Sequence, residues 1–401
     1  MAFTETQNIS WFGRMKNSFM GVIVGLLMFA GSFFVLFKNE GCAVRTAKGL
    51  EQGRKEVVSS GTDAAAPGNE GKLVHISGQA ATDAVLKDPK FGVEEAALRL
   101  RRKVEMFQWK EIKETKTKDK IGGGQERVTT YDYRKEWSED AISSANFKEG
   151  GHTNPPMPFR SEQFVASNAM VGAFRLPESL ASQIGGEESL PITEEIHGAL
   201  PEDLKAKFRA EGGGLYMGKE SGSPAVGDVR VAFSVVRSPK DVSVLGAQQG
   251  NSFAPFATEY DTKIFDLRDG IHTAEAMIQM AERENTIRTW LLRGGGFVMM
   301  AIGIGMILGP ISAMAMVLPF LGRLAGAGVG FVAFIGAGAF SLVTIAFAWI
   351  WYRPMLGIPL LVGGIVLIVW IIKRAMAKGR PPTPAAAAAG GGFYTPPPPP
   401  E

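Results

Sequence analysis

The sequence predicts a multi-span α-helical membrane protein with a large inserted α+β soluble domain, its sheet mainly antiparallel. Three observations carry this reading. Asp, Glu, Lys, Arg and His are absent from residues 17–37, 294–322, 324–352 and 354–372, each near or beyond the roughly 20 apolar residues a spanning helix needs. Charges are dense between Lys38 and Arg293. Within that charged interval, apolar residues alternate at period two in several runs, as in strands with one wet face. Average composition conceals all of this, because 45% hydrophobic and 21% charged residues would suit a soluble chain of 401 residues.

In chain order, residues 1–18 read as a short N-terminal tail and 19–37 as the first span. Arg14 and Lys16 precede that apolar run as they would in a signal peptide. The run exceeds a usual signal core, however, and Phe33, Phe34, Val35, Leu36 and Phe37 offer no small-residue cleavage site, so an uncleaved anchor is expected. Residues 38–272 form the soluble domain. Leu73–Ser77 is β-rich, and Leu98, Leu100, Val104 and Met106 share one strand face opposite Phe107 and Trp109. Tyr131, Tyr133 and Trp137 alternate beyond a polar loop at 112–125, which suggests a long-loop hairpin with aromatic cross-strand pairs. Pro177 and Pro201, each followed by acids, mark helix starts, and Val229, Val231, Phe233 and Val235 mark another strand.

Thr273 can cap an amphipathic juxtamembrane helix over 273–293, packed on the soluble domain or lying along the membrane surface. Residues 294–372 hold three further spans. The basic cluster Lys373, Arg374, Lys378 and Arg380 opens a Pro/Ala/Gly-rich tail over 373–401, too poor in core formers to fold. That cluster favours a cytoplasmic C-terminus, and four spans then return the N-terminus to the same side, with Gly123 across the membrane.

Signatures of metal, acyl-transfer, nucleotide and redox chemistry are missing, and His75, His152, His197 and His272 are too scattered to suggest a metal site. Hence no catalytic residue, cofactor or metal is expected, and the chain reads as a non-enzyme. A net charge of +3, from 43 basic against 40 acidic residues, gives no support for nucleic acid as a partner. Cys42 lacks any intrachain partner for a disulfide; it packs as a small apolar residue or, facing the cytoplasm, could be acylated. The spans lack the ionisable groups of ion pumps, which leaves a channel or transporter for a neutral small solute as the alternative to a scaffold.

Glycines do recur where helices could meet. Gly21/Gly25, Gly305/Gly309 and Gly322/Gly326/Gly330 stand at Gly-x-x-x-Gly spacing, which lets helix backbones approach closely. We therefore expect a homo-oligomer in which at least Gly21/Gly25 serves contacts between chains. Trp109, Tyr131, Tyr133 and Trp137 are expected in the fold core or at a partner surface. Membrane lipid and other membrane proteins are the expected partners.

The residues that carry a family resemblance are Asn39-Glu40-Gly41, Asn69-Glu70-Gly71 with Leu73-Val74-His75-Ile76, Asp88-Pro89, Leu100-Arg101-Arg102, Val104-Glu105-Met106, Gln108-Trp109, Gly151-His152, Asn154-Pro155, Gly227-Asp228 and Tyr352-Arg353-Pro354. Together they resemble the transmembrane protein 43 (LUMA) family. The resemblance implies four spans, cytoplasmic termini and a lumenal domain. It also implies self-association in the endoplasmic reticulum and inner nuclear membrane, and the organisation of partners that include lamins and emerin. In a prokaryotic relative the corresponding sites are the inner membrane and periplasm. Residues 174–214 and the Pro-rich tail depart from the family pattern.

Overall fold

The computed structural model describes residues 3–355, 357–359, 362, 366 and 373. Its principal elements are β1 (Phe3–Ile9), α1 (Trp11–Glu56), β2 (Leu73–Ala81), β3 (Glu94–Asp119), β4 (Gln125–Ser138), β5 (Val229–Arg237), β6 (Lys240–Gln249), α2 (Ala274–Ile307), α3 (Gly309–Ala315) and α4 (Pro319–Tyr352). Two compact units, Met1–Ile345 and Ala346–Glu401, divide the chain, and the sheets and the α1–α2 pair belong to the first. Among the described residues α1, α2 and α4 are long and apolar enough to cross a membrane. Of the expected fourth span, 354–372, most residues lie outside the described ones, and of the tail, 373–401, all but residue 373 do.

The first helix begins before its apolar stretch and ends well after it. Ser10 caps it by accepting from the Gly13 amide at 3.1 Å, and no proline interrupts the 46 residues to Glu56, so it runs for about 69 Å at 1.5 Å per residue. What reads from sequence as a tail is therefore a strand followed by the opening turns of this helix. Gly49 and Gly53 let its far end seat on the soluble domain, because a Cβ there would collide with Thr262 and Ile264. Leu50 then packs with Leu73, Leu245, Ile264, Met277 and Ile278.

α2 repeats the arrangement in reverse. Thr273 caps it by accepting from the Ala276 amide at 3.2 Å, and Met277 and Ile278 are buried against the sheet domain. The helix then continues into the apolar stretch and stops at Ile307. Pro310, which lacks an N–H, sits in the first turn of the short α3 that follows.

The sheet domain has two main sheets among the described residues, of nine and seven strands. In the first, β1, β4, β3 and β5 lie side by side, followed by Gly214–Met217 and Arg209–Glu211. In the second, β6 pairs antiparallel with β2, from Lys240 opposite Ala80 to Ala247 opposite Leu73. β5 and β6 are consecutive in sequence but belong to different sheets, so the chain turns the corner between layers at 238–239. Leu98, Leu100, Val104 and Met106 of β3 and Val229, Val231, Phe233 and Val235 of β5 fill the space between them, all at 2% exposure or less. Pairing is antiparallel except where Val58–Ser59 meets β2, where Ser252 meets Arg175, and at the isolated Glu70–Gln248 bridge.

Arg102 shares the phase of that apolar face and is 2% exposed. Its guanidinium is tied to the fully buried Asp88 and to Glu162 at 2.8 Å, donates to the Arg160 carbonyl at 3.1 Å, and lies over the Phe91 ring. Such partners offset the cost of burying a charge, which unpaired would be prohibitive. Sequence patterning passed over Arg102; its place in the alternation was the available signal.

The β3–β4 hairpin is longer than expected. Instead of a polar loop at 112–125, the strands stay paired from Met106 opposite Ser138 to Asp119 opposite Gln125. Cross-strand pairs such as Lys110–Glu136 hold the polar section, and Thr115 and Thr129 face each other. Gly122 and Gly123, at φ 88° and 81°, make the turn. The tip receives β1, with Phe3 opposite Tyr131 and Ile9 opposite Gln125, so residues 3–9 and 125–131 are neighbours in one sheet. The expected topology instead puts the N-terminus and the region around Gly123 across the membrane from each other. In a Cys42→Ser background, Thr4→Cys with Thr130→Cys should oxidise to a disulfide in high yield, since their Cβ atoms stand directly opposed. A pair displaced by two residues, Thr4→Cys with Val128→Cys, should not; equal yields would refute the register.

Candidate functional site

Between α1 and α2, glycine sets the distance. A Cβ on Gly25 would stand 2.8 Å from the Gly303 carbonyl oxygen, and one on Gly303 would stand 2.8 Å from the Phe29 amide nitrogen. Gly296 lies against Leu36 and Gly31 against Met299. Leu36 and Met300, both fully buried, close the seam together with Ala337 of α4. Within the single chain Gly25 is therefore occupied against α2 rather than free, where two antiparallel helices approach closely. Gly21 is looser, 3.8 Å from Met306 Cε, and Gly305 looks at Ala333 Cβ from 4.0 Å. Gly309 meets Ser18 and Gly322 meets Met316, whereas Gly326 and Gly330 have open space where a Cβ would go.

At the domain-facing end of this pair, charge replaces glycine. Glu40, 2% exposed, accepts two bonds from Arg293 at 2.6 and 2.8 Å, a fork-to-fork arrangement. Asn39 donates to the Thr289 carbonyl at 3.1 Å and Asn285 to the Ala43 carbonyl at 3.0 Å. Further along, Arg54 gathers Glu51, Glu275 and Glu282 within 3.0 Å. Those carboxylates hold its guanidinium above its ordinary pKa, Glu282 foremost. Beyond the lock the apolar helices present Leu26, Leu27, Phe34, Val298, Phe331 and Leu342 outward, each at least 45% exposed.

At the opposite end, the hairpin tip and the helix ends interlock. Arg14 reaches Asp119 at 2.8 Å, the Trp11 indole donates to the Ala313 carbonyl at 3.2 Å, and the Gly122 amide donates to the Val317 carbonyl at 3.1 Å.

The family model for Transmembrane protein 43 matches residues 106–354. Transmembrane protein 43 of Homo sapiens and that of Mus musculus are each 33% identical over 375 residues, covering 90% of this chain and 91% of the relative. The chain belongs to the transmembrane protein 43 family. A Drosophila melanogaster homolog is 28% identical over 363 residues, covering 88% and 94%. No solved structure matches. As a member of the transmembrane protein 43 family, the chain is a membrane protein, and among its described residues α1, α2 and α4 are long and apolar enough to span.

The four aromatic candidates of this family member occupy the hairpin, but not as a ladder of aromatic pairs. Between β3 and β4 register sets Phe107 opposite Trp137, with ring centroids 5.2 Å apart. Trp109 stands opposite Lys135, whose ammonium lies 4.8 Å from the ring centroid, and meets His152 edge-on at 4.5 Å. Tyr133 stacks on His152 at 3.9 Å, and Tyr131, 3% exposed, packs on Phe3 of β1. Asn154 donates to the Trp109 carbonyl and accepts from its amide, pinning the 142–154 segment along the strand. These residues therefore stabilise the base and tip of the hairpin.

One buried polar cluster resembles a nucleophile with its base. Ser77 Oγ lies 3.1 Å from His75 Nε2 and 2.8 Å from Ser243 Oγ. Yet His75 Nε2 is also 2.9 Å from the His272 carbonyl, which only accepts, so that nitrogen carries the proton and cannot take one from Ser77. The cluster is a strut between β2, β6 and the start of α2. Burial pushes His75 below the ordinary histidine value, the bond to His272 opposing it. Because the unfolded chain then binds the proton more readily, stability should fall as pH drops below about 6.5, by up to about 1.4 kcal/mol per unit of depression, and stay level above that pH. Melting temperatures at pH 7.5 and 5.5 should differ more for the wild type than for His75→Gln; equal differences would remove His75 as the cause.

Proposed function

We propose that this transmembrane protein 43 family member is a non-enzymatic membrane scaffold that associates with further copies through α4 and presents its sheet domain to partner membrane proteins. One observation supports the reading above others. α1 and α2 pass without a break from their apolar stretches into the core around Leu50, Met277 and Ile278, so the domain is held at a fixed attitude to the bilayer rather than on a flexible stalk. A display platform needs that rigidity. The compartment it serves is the endoplasmic reticulum and nuclear envelope, or the inner membrane in a prokaryote.

Self-association is assigned to the face of α4 around Gly326 and Gly330. Helix contacts in lipid depend on close van der Waals packing at small residues, and these two are uncovered in the single chain. Light scattering of the full chain in mild detergent should show an oligomer, and Gly326→Leu with Gly330→Leu should shift it toward monomer at an unchanged melting temperature. A monomeric wild type would defeat the scaffold reading, and an oligomer indifferent to the double replacement would defeat this interface.

A further inference from the structure

Where the hairpin tip meets the helix ends there is an open pocket of about 290 Å³, lined by Arg14, Asn17, Ser18, Gln125, Arg127 and Ser312 with Ile9, Gly309 and Ala313. Its chemistry is that of an anion site. Arg14 is neutralised by Asp119 at 2.8 Å, but the Arg127 guanidinium has no acidic or hydrogen-bonding partner among the described residues, which leaves one uncompensated positive charge at the pocket. The amides of Asn17 and Gln125 and the hydroxyl of Ser18 add neutral donors around it.

Position narrows the ligand. Arg14 and Asn17 stand at the boundary where the uncharged stretch of α1 begins, and elsewhere on α1 and α3 Phe12, Phe19, Met20, Ile311 and Met314 are at least half exposed. A polar, cationic cleft at the end of an apolar helix whose other faces carry uncovered apolar side chains fits a ligand with an anionic head and acyl tails. We propose that this pocket binds the phosphate of a membrane phospholipid, with Arg127 as the charge-bearing donor. The bound lipid then ties β4, α1 and α3 together at that end of the molecule.

The test uses the full chain purified in a non-ionic detergent, with melting temperature followed against added dioctanoyl phosphatidylglycerol and, separately, inorganic phosphate at matched ionic strength. The lipid should raise the melting temperature of the wild type and inorganic phosphate should not. Arg127→Gln should weaken the apparent lipid affinity about tenfold, the scale set by one charge-assisted hydrogen bond. Full disulfide yield between Thr4→Cys and Thr130→Cys in the Arg127→Gln background shows that the tip is still assembled. Ser312→Val, which narrows the pocket without touching its charge, should also weaken the lipid response. A lipid response unchanged by Arg127→Gln overturns the site, and an equal response to inorganic phosphate alone overturns the lipid as its ligand.

Discussion

Arg293→Leu should be among the most damaging single substitutions in the molecule, lowering the stability of the helix pair by roughly 3–5 kcal/mol, the usual cost of stranding one member of a buried ion pair. Glu40, at 2% exposure, would lose both of the bonds that Arg293 donates to it. Arg293→Lys should recover only part of the loss, since an ammonium cannot reproduce the two-pronged contact. The double replacement Glu40→Leu with Arg293→Met should recover most of it, because an apolar pair of similar volume avoids the desolvation that the ions incur. Denaturation of the full chain in detergent micelles measures all three. A single variant that melts with the wild type would mean that the Arg293 contact does not hold the helix pair together, and the lock would not exist.

Gly25→Ala should cost about 1–3 kcal/mol by overpacking, and Gly25→Leu more. The first added carbon already stands 2.8 Å from the Gly303 carbonyl and from Met306 Cβ, and backbone atoms cannot swing aside as a side-chain end would. Gly21→Ala, one turn earlier and 3.8 Å from its nearest neighbour, serves as the matched control and should lie within about 0.5 kcal/mol of wild type. Melting temperature in detergent separates the two. If Gly21→Ala and Gly25→Ala behave alike, the crossing is not where the structure puts it.

The three span candidates among the described residues were legible because lipid demands a long run without charge, which a sequence shows directly. The faces of β3 and β5 were legible for the related reason that burial on one side enforces period two. Which glycines meet which was not legible, since spacing marks a helix face without naming what covers it; Gly25 and Gly330 look alike in sequence and differ entirely in surroundings. The Glu40–Arg293 lock joins residues far apart in the chain, each at the edge of an apolar run where a charge is unremarkable. The hairpin escaped for a different reason. Lys113, Glu114, Lys116, Lys118 and Asp119 read as a loop because neither face is apolar, yet cross-strand pairing needs only a partner, and β4 and then β1 supply it.

That third strand has a consequence for the order in which the protein is made. β1 leaves the ribosome first and α1 immediately after it, whereas the residues that pair with β1 begin at Gln125. At ribosomal speeds of roughly 5–20 residues per second, the intervening chain takes on the order of ten seconds to appear. Throughout that interval the edge of β1 is bare while α1 is already available for insertion. The strand is thus made well before its partner exists, and the hairpin, arriving late, has to find an edge that has been waiting for it.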